Sequence, residues 1–242
     1  MQNFRTRTIR EIAVAEPATT RVFEEFKIDF CCGGGYTFGD ACRRAGVDPD
    51  AVSQRLDQIF QVAPDSKPAG KKTPSELIDH IEKKHHVFTR NEIARLTSLM
   101  EKVVGKHGDA HPEVVELKHE FSQLCDELTP HMQREEKVLF PFIKHLEMAD
   151  GNGLSNPRPA FRTVKNPVRM LMIEHDSAGA LLRKMRGIAS DYAVPENACP
   201  SFRALYFGLA ELEKDLHLHI HLENDVLFPE AVRLEQKVML GY

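Results

Sequence analysis

Two stretches of this 242-residue chain carry the same side chains able to bind a metal. Residues 127–143 read ELTPHMQREEKVLFPFI and residues 215–231 read DLHLHIHLENDVLFPEA. Aligned at an offset of 88, they agree at Leu128/Leu216, His131/His219, Glu135/Glu223, Val138/Val226, Leu139/Leu227, Phe140/Phe228 and Pro141/Pro229. In each copy the His and the Glu stand four apart, one turn from each other on one face of a helix. Each copy is therefore a half-site offering an imidazole nitrogen and a carboxylate. One such pair alone reads most simply as a solvated ion pair; two in the same register with the same apolar surroundings do not.

Two half-sites supply four ligands, and a genuine repeat adds one more from each of two other helices. His175 stands 44 residues before His219, and His86 stands 45 before His131, which makes His86 and His175 the matching pair. A helical projection puts His85, not His86, on the face of Ile78, Ile81, Phe88 and Leu96, and a core histidine explains His85 equally well. Repeat spacing selects His86.

The set His86, His131, Glu135, His175, His219 and Glu223 fits two iron ions. With each carboxylate bridging, each metal receives two nitrogens and two oxygens and keeps positions for a bridging oxide and a small ligand. Structural zinc sites close at four ligands and favour thiolate, whereas calcium and magnesium prefer oxygen shells. A mixed shell with open positions suits redox-active iron, with manganese also compatible. Glu127 and Asp215 each lie one turn before a ligand histidine, where a carboxylate can accept the second ring N–H. Glu174, beside His175, is placed to reach the pocket, and Glu127 and Glu174 are the candidate proton carriers.

These residues need long helices to hold them. Residues 1–62 read as a small helical domain: Pro17 opens a helical segment, Thr37 and Asp40 start another, and Asp48-Pro49 start a third that runs to about Phe60. The run Ile28-Asp29-Phe30-Cys31-Cys32-Gly33-Gly34-Gly35 breaks the pattern, and its glycines let backbone approach a partner and leave the thiols exposed. Residues 63–74 are rich in Pro, Gly and Lys and read as a linker. From residue 75 to 242 the pattern is helical, with a polar break before Pro167. Two helix pairs without strand signals predict an antiparallel four-helix bundle in an all-α chain, with Pro141 and Pro229 ending or kinking the helices that carry the motifs.

The composition narrows the function. Hydrophobic residues make up 42% and charged residues 28%, and no apolar run reaches the ~20 residues of a membrane span. No secretory signal is visible, and the five scattered cysteines suit a reducing compartment, so a cytoplasmic protein is expected. A net charge of −4 provides no footprint for nucleic acid. The twelve histidines are the anomaly, and they fall within helical patterns. Those outside the repeat, His217 and His221 among them, are expected at the surface or at helix caps.

The doubled H-x-x-x-E with L-F-P, each preceded by an earlier histidine, resembles the hemerythrin-like di-iron bundle. IDFCCGGG ahead of it resembles the short cysteine-pair domain joined to that bundle in the RIC (repair of iron centres) family. The resemblance covers nearly the whole chain. It implies a cytoplasmic homodimer whose chains each hold two non-haem irons bridged by oxide and carboxylate. It further implies repair of iron-sulfur clusters damaged by nitrosative or oxidative stress, with nitric oxide or oxygen as a small ligand and damaged iron-sulfur proteins as partners. Nitric oxide reduction, or nitric oxide binding as a sink or sensor, are the alternatives. Carried over position by position, the family's ligands fall on His86, His131, Glu135, His175, His219 and Glu223, its pocket carboxylates on Glu127 and Glu174, and its cysteine pair on Cys31 and Cys32. The chain lacks the fifth histidine and terminal aspartate arrangement of oxygen-carrying hemerythrins, which argues against simple oxygen transport.

Overall fold

The computed structural model describes residues 4–31, 33–62, 72–152 and 160–240. They form an all-α chain: four short helices, α1 (Ile9–Ala15), α2 (Thr20–Glu25), α3 (Phe38–Ala45) and α4 (Pro49–Val62), precede four long ones. The long helices are α5 (residues 74–107), α6 (residues 112–152), α7 (Lys165–Ile188) and α8 (residues 200–240).

Local sequence explains where the helices begin. Thr73 caps α5 through the Glu76 N–H while the Glu76 side chain accepts the Thr73 N–H, and Pro74 takes the first helical position. Pro112 and Pro200 open α6 and α8 in the same way. In the N-terminal layer, Thr37 caps α3, and Gly46, at φ 69°, closes it in the left-handed conformation. The helix α1 was legible too but belongs to no sequence expectation: Thr8 and Glu11 form a second reciprocal cap ahead of the buried Ile9 and Ile12.

Of the two outcomes expected at Pro141 and Pro229, an end or a kink, the end does not occur. Both helices pass through these prolines because a widened π-helical turn, Glu135–Leu139 in α6 and Leu222–Leu227 in α8, comes directly before each. Phe140 and Phe228 bond back five residues, to Glu135 and Glu223, and the wider turn relieves the clash a proline ring makes with the carbonyl four residues back. A third π segment spans Ile81–His86 in α5. Helix α7 has none.

The bundle interior has two apolar halves. One gathers Leu96, Met100, Phe121, Leu128, Leu182, Phe202 and Leu216; the other gathers Ile78, Ile81, Leu139, Phe140, Leu171, Leu227 and Phe228. On all four helices the candidate ligands fall between the two, at His86, at His131 and Glu135, at His175, and at His219 and Glu223. Polar groups thus sit mid-bundle, sealed by hydrocarbon at both ends.

The N-terminal helices enclose their own core of Phe4, Ile9, Ile12, Phe23, Phe30, Phe38 and Leu56. They lie against the outer side of α8. Arg10 forms an ion pair with the buried Asp225, whose second oxygen accepts from His221 Nδ1 at 2.7 Å. Glu24 holds His217 at 2.7 Å, and the Phe30 ring meets the edges of both His217 and His221. These two histidines, expected at the surface, instead anchor the N-terminal layer, because they alternate with His219 along α8 and so face away from the bundle interior.

Candidate metal centre

His86, His131, Glu135, His175, His219 and Glu223 come together in the middle of the bundle, each at most 2% exposed. They form two overlapping groups, His86/Glu135/His219/Glu223 and His131/Glu135/His175/Glu223, each able to hold a metal ion. The carboxylates are shared in a definite way. Glu135 Oε1 is 3.3 Å from His131 and its Oε2 is 3.5 Å from His86. Glu223 Oε1 is 3.0 Å from His219 and its Oε2 is 3.2 Å from His175. Each carboxylate therefore turns one oxygen to each histidine pair, as a bridge between two cations requires.

The donor set calls for cations. The Nε2 atoms of His86 and His219 lie 3.1 Å apart, and those of His131 and His175 lie 2.9 Å apart. Both Glu135 oxygens and Glu223 Oε2 are buried without a hydrogen bond among the described residues. Buried, unpartnered carboxylate oxygens cost several kcal/mol unless a cation compensates them.

Outer partners fix the imidazoles. His86 Nδ1–H donates to Glu136 at 2.7 Å, His131 Nδ1–H to Glu174 at 2.7 Å, and His175 Nδ1–H to the Asn224 amide oxygen at 2.8 Å. Each bond commits Nδ1 outward and leaves Nε2 to face the centre. Glu136 and Asn224 each directly follow a shared carboxylate. On a regular α-helix the second residue would swing about 100° away, and the π turns bring both into use. The repeated Phe140 and Phe228 stack on His86 and His175, with ring centroids 5.8 and 6.0 Å apart, which explains why Leu-Phe-Pro follows each motif.

Several expectations move. His86 joins the centre, and His85, buried beside it, pairs with Asp215 at 3.0 Å. Asp215 thus orients His85 and not His219, whose Nδ1 has no partner among the described residues. Glu127 accepts from Ser177 at 2.9 Å and Gln123 at 3.1 Å rather than from His131; Glu174 from the facing helix takes that place. The His131 N–H, and after it Arg134, hold Glu174 well below the usual carboxylate range, at about 2. A carboxylate kept ionised in this way orients His131 and is a poor store for a proton at neutral pH. Cys31 is buried, its sulfur 3.5 Å from Asp29, so its thiol is not exposed as expected; Cys32 lies outside the described residues.

Comparison with known proteins agrees with this architecture. Residues 77–231 match the family described as the hemerythrin HHE cation binding domain, and residues 5–59 match a domain of unknown function, DUF542. The iron-sulfur cluster repair protein YtfE of Dickeya chrysanthemi (strain Ech1591) is 34% identical over 233 residues, covering 96% of this chain and all of that protein. The chain belongs to the hemerythrin-like iron-sulfur cluster repair family. YtfE of Yersinia pseudotuberculosis serotype O:1b (strain IP 31758) is 34% identical, and that of Yersinia pestis (strain Pestoides F) 33%, each over 234 residues that cover 96% of this chain and all of the relative. Both parts of the repair-family architecture, the cysteine domain and the hemerythrin-like bundle, are thus present along one chain.

The electrostatics of the family's bundle lead to a first test. Burial pushes the His131 imidazole down, but the adjacent Glu135 carboxylate, and after it the bond to Glu174, outweigh it and raise it to about 10. His86 is likewise raised against its burial by Glu135 and Glu223, whereas burial keeps His219 low. The metal-free chain at neutral pH therefore holds a proton on His131, and metal uptake must expel it. Calorimetric titration in buffers of different ionisation enthalpy should show proton release on metal uptake, with affinity rising as pH increases toward the His131 value. Uptake without proton release contradicts this.

Outer-partner substitutions are the second test. Glu136→Ala and Asn224→Ala each free one ligand imidazole and should weaken metal binding about 10–100-fold while leaving the helical content unchanged. Competition against a chelator of known affinity measures the loss; unchanged affinity would mean that Glu136 and Asn224 do not orient their histidines.

Proposed function

We propose that this chain repairs damaged iron-sulfur clusters, acting as a di-iron protein that donates iron to them. The observation that carries the reading is the sharing of two fully buried carboxylates between two histidine pairs, one oxygen to each. Two irons would be held by His86 and His219 on one side and His131 and His175 on the other, with Glu135 and Glu223 shared between them, and would supply redox-active Lewis-acid chemistry toward nitric oxide or oxygen. The protein's own contribution is to aim four imidazoles through their outer partners and to exclude water with hydrocarbon above and below. The names of its relatives support cluster repair as the task.

The same reading makes the protein cytoplasmic and a homodimer, with damaged iron-sulfur proteins as its partners. Among the described residues no helix is long and apolar enough to cross a membrane. The cysteine loop engages the target: the N-terminal layer that carries Cys31 and Cys32 is fastened to α8, the helix that supplies His219 and Glu223, through Arg10 and Asp225.

The test is restoration of a cluster enzyme after nitric oxide damage by the anaerobically purified, iron-loaded protein. Wild type should restore activity, and a Cys31→Ser/Cys32→Ser variant with full iron should not. Equal rescue by that variant removes the cysteines from the reading; no rescue by wild type removes the reading. Production of nitrous oxide without rescue would assign the centre to nitric oxide reduction instead.

A further inference from the structure

The twofold relation between the halves of the centre fails at one position. Glu174 precedes His175 in α7, and its counterpart before His86 in α5 is His85. In one half this position supplies the carboxylate that holds His131 Nδ1 at 2.7 Å. In the other half it supplies an imidazole stacked on His219, with centroids 5.8 Å apart and planes 19° from parallel. His219 Nδ1 is consequently buried without a hydrogen-bond partner among the described residues. A ligand histidine lacking its outer partner binds metal about 10–100-fold more weakly. The His86/His219 position is thus the weaker of the two.

His85 is itself built as a ligand. It is fully buried, and Asp215 accepts its Nδ1–H at 3.0 Å, which leaves the lone pair on Nε2. That Nε2 has no partner among the described residues, and neither has the buried hydroxyl of Thr89, one turn further along α5. His80 meets the His85 ring edge-on at 5.5 Å and lies partly exposed. Three imidazoles, His219, His85 and His80, therefore lead stepwise from the centre toward solvent.

We infer that the iron held by His86 and His219 is the exchangeable one, and that His85 is the transient ligand through which it leaves and is replaced, with His80 at the mouth of the route. The step is ligand exchange: the bond from ferrous iron to His219 breaks, a bond to His85 Nε2 forms, and no electron moves. This inference rests on the iron-donation reading above and says which iron is donated and by what path.

Anaerobic release of iron from the loaded protein to a chromophoric ferrous chelator tests it. Wild type should release its iron in two phases of equal amplitude. Glu174→Ala, which strips His131 of its outer partner, should accelerate only the slow phase, by about tenfold or more. His85→Phe should slow the fast phase severalfold while the starting iron content stays at the wild-type value. If His85→Phe does not fold, Asp215→Ala and His80→Ala take its place, and each should slow the fast phase. A single phase in wild type, acceleration of the fast phase by Glu174→Ala, or an unchanged fast phase in the His85, Asp215 and His80 variants overturns the inference. Parallel cluster-repair assays separate the two claims. Slowed release in the variants without any repair by wild type would sink donation and keep the route, whereas repair with unaltered release in the variants would do the reverse.

Discussion

Glu223→Ala should empty both metal positions at once, whereas His175→Ala should empty only one. The difference follows from geometry: Glu223 places Oε1 at 3.0 Å from His219 and Oε2 at 3.2 Å from His175, so one side chain serves both pairs, while His175 serves one. Metal analysis of the purified variants measures it directly, as near-total loss against roughly half retained. Thermal unfolding gives an independent readout. Metal binding stabilises the folded wild type, by about 2.7 kcal/mol per site at a hundredfold excess over the dissociation constant, and in Glu223→Ala that gain should vanish. If Glu223→Ala keeps one full metal equivalent, the carboxylate is not shared.

Asp225→Ala should release the N-terminal layer from the bundle. Asp225 has a fully buried side chain that receives Arg10 on one oxygen and His221 on the other. Removing one member of a buried ion pair costs about 3–5 kcal/mol, and because the Arg10 side chain is 41% exposed and can turn to water, about 2–4 kcal/mol is expected here. Denaturant unfolding measures the loss. Hydrogen exchange locates it: amides of α1 to α4 should exchange faster while those of α5 to α7 keep their protection. Arg10→Ala should act in the same direction and more weakly, since it leaves His221 as a partner for the carboxylate. Metal content should be retained in both variants. Loss of the metal together with the docking would show that Asp225 supports Glu223 and not the cysteine layer.

The bundle was legible because its signals are local and redundant. Thr73 with Glu76, Thr37 with Gly46, and the prolines at 74, 112 and 200 mark helix ends through hydrogen bonds that neighbouring residues make. The repeat at offset 88 likewise picked out His131, Glu135, His219 and Glu223, and the near-equal spacings of 45 and 44 residues before its histidines added His86 and His175; the fold brings all six together. What periodicity could not show is the π turn. A projection at 3.6 residues per turn puts His85 on the inner face, but the segment Ile81–His86 is wound more loosely, and the extra residue carries His86 inward while His85 stays buried. The same looseness lets α6 and α8 pass Pro141 and Pro229, and lets Glu136 and Asn224 hold histidines on neighbouring helices.

Tertiary partners were hidden for a different reason. Glu127 and Asp215 stand at the right spacing to serve the histidines on their own helices, yet His131 takes Glu174 from α7 and Asp215 takes His85 from α5. An N–H buried between helices bonds to whichever acceptor faces it across the gap, and sequence spacing says nothing about the gap. The alternation of His217, His219 and His221 did carry a usable signal. Flanking histidines two residues away must face outward from the centre, and on a helix whose outer side is covered by another layer they meet that layer.

Mössbauer spectroscopy, combined with metal analysis of protein purified anaerobically, bears most directly on the central claim that Glu135 and Glu223 bridge two irons. Two magnetically coupled high-spin irons per chain are expected, with the iron signal nearly absent in Glu223→Ala. A single uncoupled iron, or a centre filled by zinc, would contradict it.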